Sequence, residues 1–288
     1  MKRFQLLKMR LVHLVVIVVA LFAFVDIVKA AELPKSPEVK ETGKLTIANT
    51  LEYAPFEFTG ADGKPAGVNI ELGEAAARLL GVTLNVERTP FTSMIPGLSA
   101  GRFKISWETF SPTEERLKYV DFVIFLKAGT VASTTPEKAA NFGKENNLCG
   151  KRVGIVAGNV ADFIADKLSV ECKKAGLPEV AKAIFPEAKD IVQAVLSGRV
   201  DARLDDATSS GYYEVTSGGK LVVVEGLYDV SPLGLAVPKG DKETAEMMRA
   251  VLQALIEDGT YQKIMKKYGL TSAMIDEAYI VDSMDKVR

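Results

Sequence analysis

The chain has 288 residues, with 36 Lys and Arg against 37 Asp and Glu, 48% apolar residues, two cysteines and one histidine. That length suits one large or two mid-sized domains with ample apolar material for cores, and the balanced charge leaves no electrostatic footprint for nucleic acid. The single histidine, His13, falls in an expected leader, so the remainder holds no Ser-His-Asp or Cys-His machinery and no imidazole for a metal.

Residues 1–30 read as a secretory signal peptide. Lys2, Arg3, Lys8 and Arg10 make a basic start, Leu14 to Val25 is an apolar run, and Val28-Lys29-Ala30 offers small residues for cleavage before Ala31. An uncleaved membrane anchor is the rival reading. The apolar run is short for a bilayer span, and Asp26 closes it. No cysteine follows the run, so a lipid anchor is not expected. A periplasmic protein carrying about −5 net charge is the expectation, because the leader removes five basic residues and one acid.

Elements follow in an alternating rhythm. Lys44–Ala48 reads as a strand, Ile70–Leu80 as a helix stopped by Gly81, and Val82–Val86 as a strand. Thr92–Ala100 reads as a helix and Phe103–Trp107 as a strand. After about residue 131 the rhythm restarts: strand Arg152–Val156, helices Val160–Ala175 and Ile191–Leu196, then strands Val200–Leu204 and Lys220–Val224. A helical stretch over Lys242–Lys267 ends the pattern, with Ala245, Met248, Leu252 and Ile256 at helical spacing. This predicts an α/β fold of two units, each a mostly parallel sheet with flanking helices. Lys127–Ser133 and Tyr228–Val237 are extended segments suited to crossing between the units. One continuous doubly wound sheet is the alternative, and periodicity does not separate the two.

Cys149 and Cys172 are the only thiols. In an exported chain they most simply form one disulfide; two free thiols is the other reading.

Four segments carry candidate chemistry. In Ser111-Pro112-Thr113-Glu114-Glu115-Arg116, Ser111 reads as an N-cap and Glu114 completes a capping box. A helix start offers N–H groups to an anion, and Arg116 offers two parallel bonds to a carboxylate; an ordinary capped surface helix is the plainer reading. Ser197 to Asp206 runs a strand into Asp205 and Asp206, at the strand end where α/β sheets bind ligands. Asp206 as a cap of the next helix is the plainer reading there. Tyr53-Ala54-Pro55-Phe56-Glu57-Phe58 and Phe91 place aromatics either around a ligand or in a core. Gly158-Asn159 is a weak anion-nest signal. There is no dinucleotide fingerprint and no phosphate-binding loop, and no cofactor is expected.

Together these segments resemble the periplasmic solute-binding proteins of polar amino-acid ABC importers, bacterial extracellular solute-binding protein family 3, over about residues 41–270. The resemblance is carried by YAPFEF, GKPAGVNIELGEAAARLLGV, FTSMIPGLSAGRF, SPTEERLKYVDF, KAGT, CGKRVGIVAGN, SGRVDARLDD and EDGTYQKIMKKYG. It implies two α/β lobes joined by two crossover strands, residues 31–131 plus 228–288 forming one lobe and 132–227 the other, with a ligand in the cleft. Position by position, Arg116 is implied to clamp the ligand's α-carboxylate, helped by the Ser111 N–H, with Thr109 among the binding positions. Asp206 is implied to take the α-ammonium, Tyr53 and Phe91 to sandwich the side chain, and Gly158, Asn159 and Val160 to supply backbone donors. The chain departs from the family where Val160 replaces a frequent Thr, Thr50 replaces an Asp common in binders of cationic side chains, and Glu108 replaces a small residue. Glu108 and Asp205, if both point inward, make an acidic pocket and a polar or cationic amino acid the expected ligand.

The resemblance further implies a membrane permease as partner and a monomer that is not an enzyme. The competing implication is a cyclohexadienyl dehydratase on the same scaffold, with Glu108 as general acid. A receptor's sensing module is disfavoured, since no signalling domain follows.

Overall fold

The computed structural model describes residues 33–142 and 148–288; the expected leader lies outside them. β1 (Lys44–Asn49) is followed by β2 (Glu52–Tyr53), β3 (Glu57–Thr59) and β4 (Pro65–Ala66), which form a small antiparallel sheet of their own. Then come β5 (Thr83–Arg88), β6 (Ser106–Phe110), β7 (Val120–Thr134), β8 (Arg152–Val156), β9 (Ala181–Phe185), β10 (Ala202–Asp206), β11 (Val222–Val223), β12 (Asp229–Pro238) and β13 (Tyr279–Val281). Among the described residues these join β1 in one mixed sheet of order β5-β1-β6-β12-β7-β10-β8-β9, with β11 and β13 along β7. The pairs β1–β5, β1–β6, β8–β9 and β8–β10 are parallel, as expected where helices cross between strands.

β7 and β12 make the architecture. They pair antiparallel from Asp229 opposite Thr130 to Pro238 opposite Val120. On its other edge, β7 pairs with β13 at Phe122–Ile124 and with β10 at Thr130–Ser133. Each long strand thus belongs to two sets of neighbours. The apolar cores divide at the same place. Leu45, Ile47, Leu72, Trp107, Phe125, Leu235 and Leu252 share one cluster, and Val153, Ile155, Ala165 and Leu204 share another. On β7 the change falls between Leu126 and Ala132. The result is the expected α/β fold of two lobes joined by two crossing strands. Gly234 sits at the bulge where the β7–β12 register shifts, and a Cβ there would lie 2.4 Å from the Val123 carbonyl oxygen.

Helices form where apolar spacing and caps agree. Val68–Leu80 buries Val68, Leu72, Ala76 and Leu80, and ends on Gly81 at φ 64°. The expected stretch Lys242–Lys267 is two helices. Lys242–Glu257 is capped by Asp241, which accepts from the Thr244 N–H at 3.1 Å, and Gly259 at φ 81° separates it from Thr260–Lys267. The expected helix Thr92–Ala100 is a 3-10 turn followed by Met94–Ser99.

Two strands are displaced along the chain in ways that bear on the site. β6 begins at Ser106 instead of Phe103, because the Phe103 ring packs against Gly97. Glu108 and Thr109 therefore lie within a strand. β10 extends to Asp206, so both acids are strand residues. β9 was not expected, since Ala181, Lys182 and Ile184 are exposed and blur its alternation.

Cys149 and Cys172 form a disulfide with Cα atoms 5.5 Å apart, tying the approach to β8 to the helix Val160–Lys174. The bond closes a span of 23 residues, worth roughly 3 kcal/mol in the chain-entropy account. A Cys149→Ser, Cys172→Ser double variant is expected to lose about that much stability, measured by urea unfolding. An unchanged midpoint would assign the bond no stabilising role.

Candidate functional site

A cavity of about 730 Å³ opens between the lobes, within the range that holds small organic ligands. Its walls are built from the C-terminal ends of parallel strands: Thr50 after β1, Val156 and Ala157 at the end of β8, and Asp206 at the end of β10. Tyr53, Phe91, Glu108, Thr109, Ser111, Arg116 and Val160 also line it. Two expected residues, Gly158 and Asp205, do not.

Arg116 is 7% exposed and forms no ion pair among the described residues. Nη1 donates to the Ser111 carbonyl oxygen at 2.8 Å and Nη2 to the Gly158 carbonyl oxygen at 2.8 Å. The guanidinium carbon lies 5.9 Å from the Phe91 ring centre and 5.5 Å from that of Phe110. Burial pushes its pKa down to about 10, which leaves it charged at neutral pH. The Ser111 hydroxyl beside it is buried without a partner. A buried cation lacking an anion thus lies next to an unused hydroxyl donor, an arrangement suited to an anion.

The expected helix at Ser111 does not form. Only a 3-10 turn, Arg116–Lys118, follows, and Thr113 begins it: its Oγ1 accepts from the Arg116 N–H at 3.2 Å and its carbonyl from the Leu117 N–H. Ser111 therefore reaches the cavity as an extended residue, not as a cap. Gly158 contributes a carbonyl acceptor for Arg116, a role not expected from the sequence.

On the facing lobe, Asp206 caps the helix Ala207–Thr216. Its Oδ1 accepts from the Ser209 N–H at 2.8 Å and from the Thr208 hydroxyl. The Tyr53 hydroxyl, from the first lobe, lies in hydrogen-bonding reach of Asp206 and 2.7 Å from Asp205 Oδ1. Asp206 has no basic partner among the described residues, and burial raises its pKa. The plainer sequence reading, a helix cap, is thus true, and the same carboxylate also faces the cavity.

Asp205 is a correction to the acidic-pocket expectation. Its Oδ2 pairs with Arg203 Nη2 at 2.5 Å, both side chains being almost fully buried. Arg203 also donates to Ser209 and Ser210. Glu108 does line the cavity. Its Oε1 accepts from the Thr50 N–H at 2.7 Å. Sequence reasoning missed Glu57, wholly buried behind it.

Over residues 45–271 the chain matches the bacterial extracellular solute-binding proteins, family 3. The chain belongs to that family. This solute-binding protein is 30% identical to the arginine-binding protein ArgT of Corynebacterium glutamicum over 83% of its length and 79% of the relative's. It is 26% identical to the histidine-binding periplasmic protein of Salmonella typhimurium over 78% and 87% of the two chains. A crystal structure of an ancestral amino acid-binding protein, described as a precursor of cyclohexadienyl dehydratase, superposes with a TM-score of 0.72 at 29% identity, covering 80% of this chain and 97% of that one. Members of the family are periplasmic binding proteins.

In this solute-binding protein several contacts bridge the lobes directly: Arg116 to Gly158, Tyr53 to Asp206, the Ser209 hydroxyl to the Ala54 carbonyl at 3.0 Å, and Lys189 to Glu52 at 2.6 Å. The lobes are therefore in a closed arrangement. Breaking the Arg203–Asp205 pair leaves a buried carboxylate alone. Arg203→Met is expected to reduce stability by roughly 3 kcal/mol in urea unfolding; a loss below about 1 kcal/mol would mean the pair behaves like a surface contact.

Proposed function

We propose that this solute-binding protein captures an amino acid with a polar or cationic side chain between its lobes and delivers it to the membrane permease of an ABC-type importer. The observation that carries the reading is the opposition of two buried, unpaired charges across one cavity: Arg116 on the first lobe and Asp206 on the second. A zwitterion bridges them, its carboxylate on Arg116 and the Ser111 donors, its ammonium on Asp206. Tyr53 and Phe91 flank its side chain, Thr109 and Val160 complete the walls, and the chain ends of β8 bring the second lobe's backbone close. Val160 supplies no hydroxyl to the carboxylate.

Closure excludes water, which strengthens each charged contact. A ligand that touches both lobes shifts the balance toward the closed form. The hinge is read at Lys127–Val131 and Tyr228–Leu233, with residues 31–131 plus 228–288 as one lobe and 132–227 as the other. Delivery to a permease places the mature chain in the periplasm, after cleavage near Ala30, acting as a monomer without enzymatic turnover. A dehydratase on this scaffold is not favoured, since the neighbour tied to that activity is itself an amino acid-binding protein.

The test is calorimetric titration of the mature protein with the common amino acids and their amides. At least one is expected to bind and to be recovered unchanged. Arg116→Ala is expected to weaken that ligand by more than about tenfold, since a charge-assisted bidentate contact is removed; Arg116→Lys restores only part of the loss. Affinity in Arg116→Ala equal to that of the parent would exclude Arg116 from the site, and turnover of prephenate or arogenate would replace binding with catalysis.

A further inference from the structure

The amino-acid reading leaves open which side chain the cavity prefers, and the inference here rests on that reading. Glu108 is 2% exposed on β6, lines the cavity, and is held by the Thr50 N–H. Directly behind it lies Glu57 of β3, wholly buried and outside the cavity. Glu57 Oε2 accepts from Asn69 Nδ2 at 2.6 Å, and Oε1 has no amide or hydroxyl partner. The two carboxyl groups are close enough to act on each other, the Glu108 charge raising Glu57.

No basic group acts on either acid. The neighbours that face them are Thr50 and Asn49 from the end of β1, Asn69 from the helix Val68–Leu80, and each other. The remaining charged residues of the cavity wall are Glu52, Arg88, Arg116, Glu187 and Asp206. Arg88 pairs with Glu52, Lys189 bridges Glu52 and Glu187, and Arg116 is held by carbonyl oxygens.

Two carboxylates buried in contact without a cation cannot both stay ionised. One proton remains between them. Its place follows from the surroundings. Glu108 in its charged form is held by the Thr50 N–H, whereas Glu57 meets only the neutral Asn69 and Asn49 amides and carries the larger rise. Burial and the Glu108 charge push the Glu57 carboxyl well above the usual carboxylate range; burial also raises Glu108, and the bonds it accepts oppose that rise.

We propose that Glu57 and Glu108 share one proton and form the subsite that selects a positively charged ligand side chain. Glu57 is the positioning residue: it keeps the proton and fixes Glu108 from behind. Glu108 is the group that meets the ligand, presenting a single negative charge. A guanidinium or ammonium offsets that buried charge. A neutral side chain leaves it uncompensated, or forces a second proton onto the pair. The sign with pH follows. Below the raised titration of Glu108 the pair is neutral, so a cationic ligand must expel a proton to bind, and its affinity climbs with pH until that titration is complete. An uncharged side chain feels no climb from this pair; the rise due to Asp206, whose carboxyl burial also pushes up, is common to both kinds of ligand.

The experiment titrates the mature protein with arginine and with citrulline, its uncharged near-isostere, from about pH 5 to about pH 8, repeated in buffers of different ionisation enthalpy to count protons. Arginine affinity is expected to rise with pH by at least about threefold more than citrulline affinity does, with more protons released at the acid end; the part due to Asp206 is shared by the two ligands. Glu108→Gln removes that excess rise and lowers arginine affinity more than about tenfold near pH 8, sparing citrulline. Glu57→Gln mimics the protonated acid and retains arginine affinity near pH 8 within about threefold. An arginine profile no steeper than that of citrulline in the parent protein overturns the proposal, and that measurement needs no variant. A tenfold loss in a folded Glu57→Gln protein overturns it too, because Glu57 would then supply charge, not a proton. Binding of neutral amino acids alone also rejects the subsite while leaving the amino-acid reading intact; failure of every amino acid to bind rejects that reading instead.

Discussion

A guanidinium withdrawn from water with no carboxylate to balance it is the constraint around which this protein is arranged. Desolvation of an unpaired charge is among the most expensive things a fold can contain. Arg116 is tolerated because two aromatic faces and two carbonyl oxygens substitute for part of its hydration. One of those carbonyls, that of Gly158, belongs to the other lobe. The same side chain therefore makes a contact between the lobes and faces the cavity. Tyr53 repeats the pattern from the opposite direction, reaching from the first lobe to Asp206 on the second. On the proposed reading, lobe closure and ligand binding use shared atoms, and no relay between distant sites is needed.

Shared atoms demand a frame that brings the lobes together in one registration. β7 and β12 supply it. Ten pairings run along them, interrupted by one bulge at Gly234, and the strands pass from one apolar core to the other. A flexible linker would let the lobes separate in any direction. The change of core falls in the stretch between Leu126 and Ala132, where only Ala128 packs, in part, against the first core. Gly129 lies in this stretch, and a Cβ there would overlap Leu227 and approach the Asp229 carbonyl at 2.8 Å. The crossing is thus tight in backbone and sparse in side chains.

Much of this was legible in the chain. The alternation of apolar runs, the two extended crossings, the cysteine pair and the types of residue at Tyr53, Phe91, Ser111, Arg116 and Asp206 all point to what is found. What was lost had physical causes. The capping-box signature at Ser111 gave way to a turn that starts two residues later, where the Thr113 hydroxyl and carbonyl accept from the Arg116 and Leu117 N–H groups. Asp205 was misassigned although the signal was available: in a strand, residues two apart share a face. Arg203 and Asp205 therefore meet on one side of β10, while Asp206, at the strand end, caps the next helix and lines the cavity. Glu57 was hidden for a different reason. Its partner Glu108 is 51 residues away in sequence, and the contact depends on how the small sheet of β2, β3 and β4 folds over the end of β6, which no local pattern encodes.

Accounting for the charges on the cavity wall turns these particulars into a statement about the ligand. Glu52, Arg88 and Glu187 are neutralised by one another and by Lys189. Asp205 is withdrawn from the cavity and neutralised by Arg203. Three groups are left without a partner of opposite sign: Arg116, Asp206 and Glu108. The first two complement the main-chain charges of an amino acid and cancel. The third has nothing to complement unless the side chain carries a positive charge. The Thr50 backbone N–H, at the end of the neighbouring strand β1, is the donor that holds Glu108. The carboxylate is thus fixed by two strand ends at once, and the field at that end of the cavity depends on where its oxygens lie.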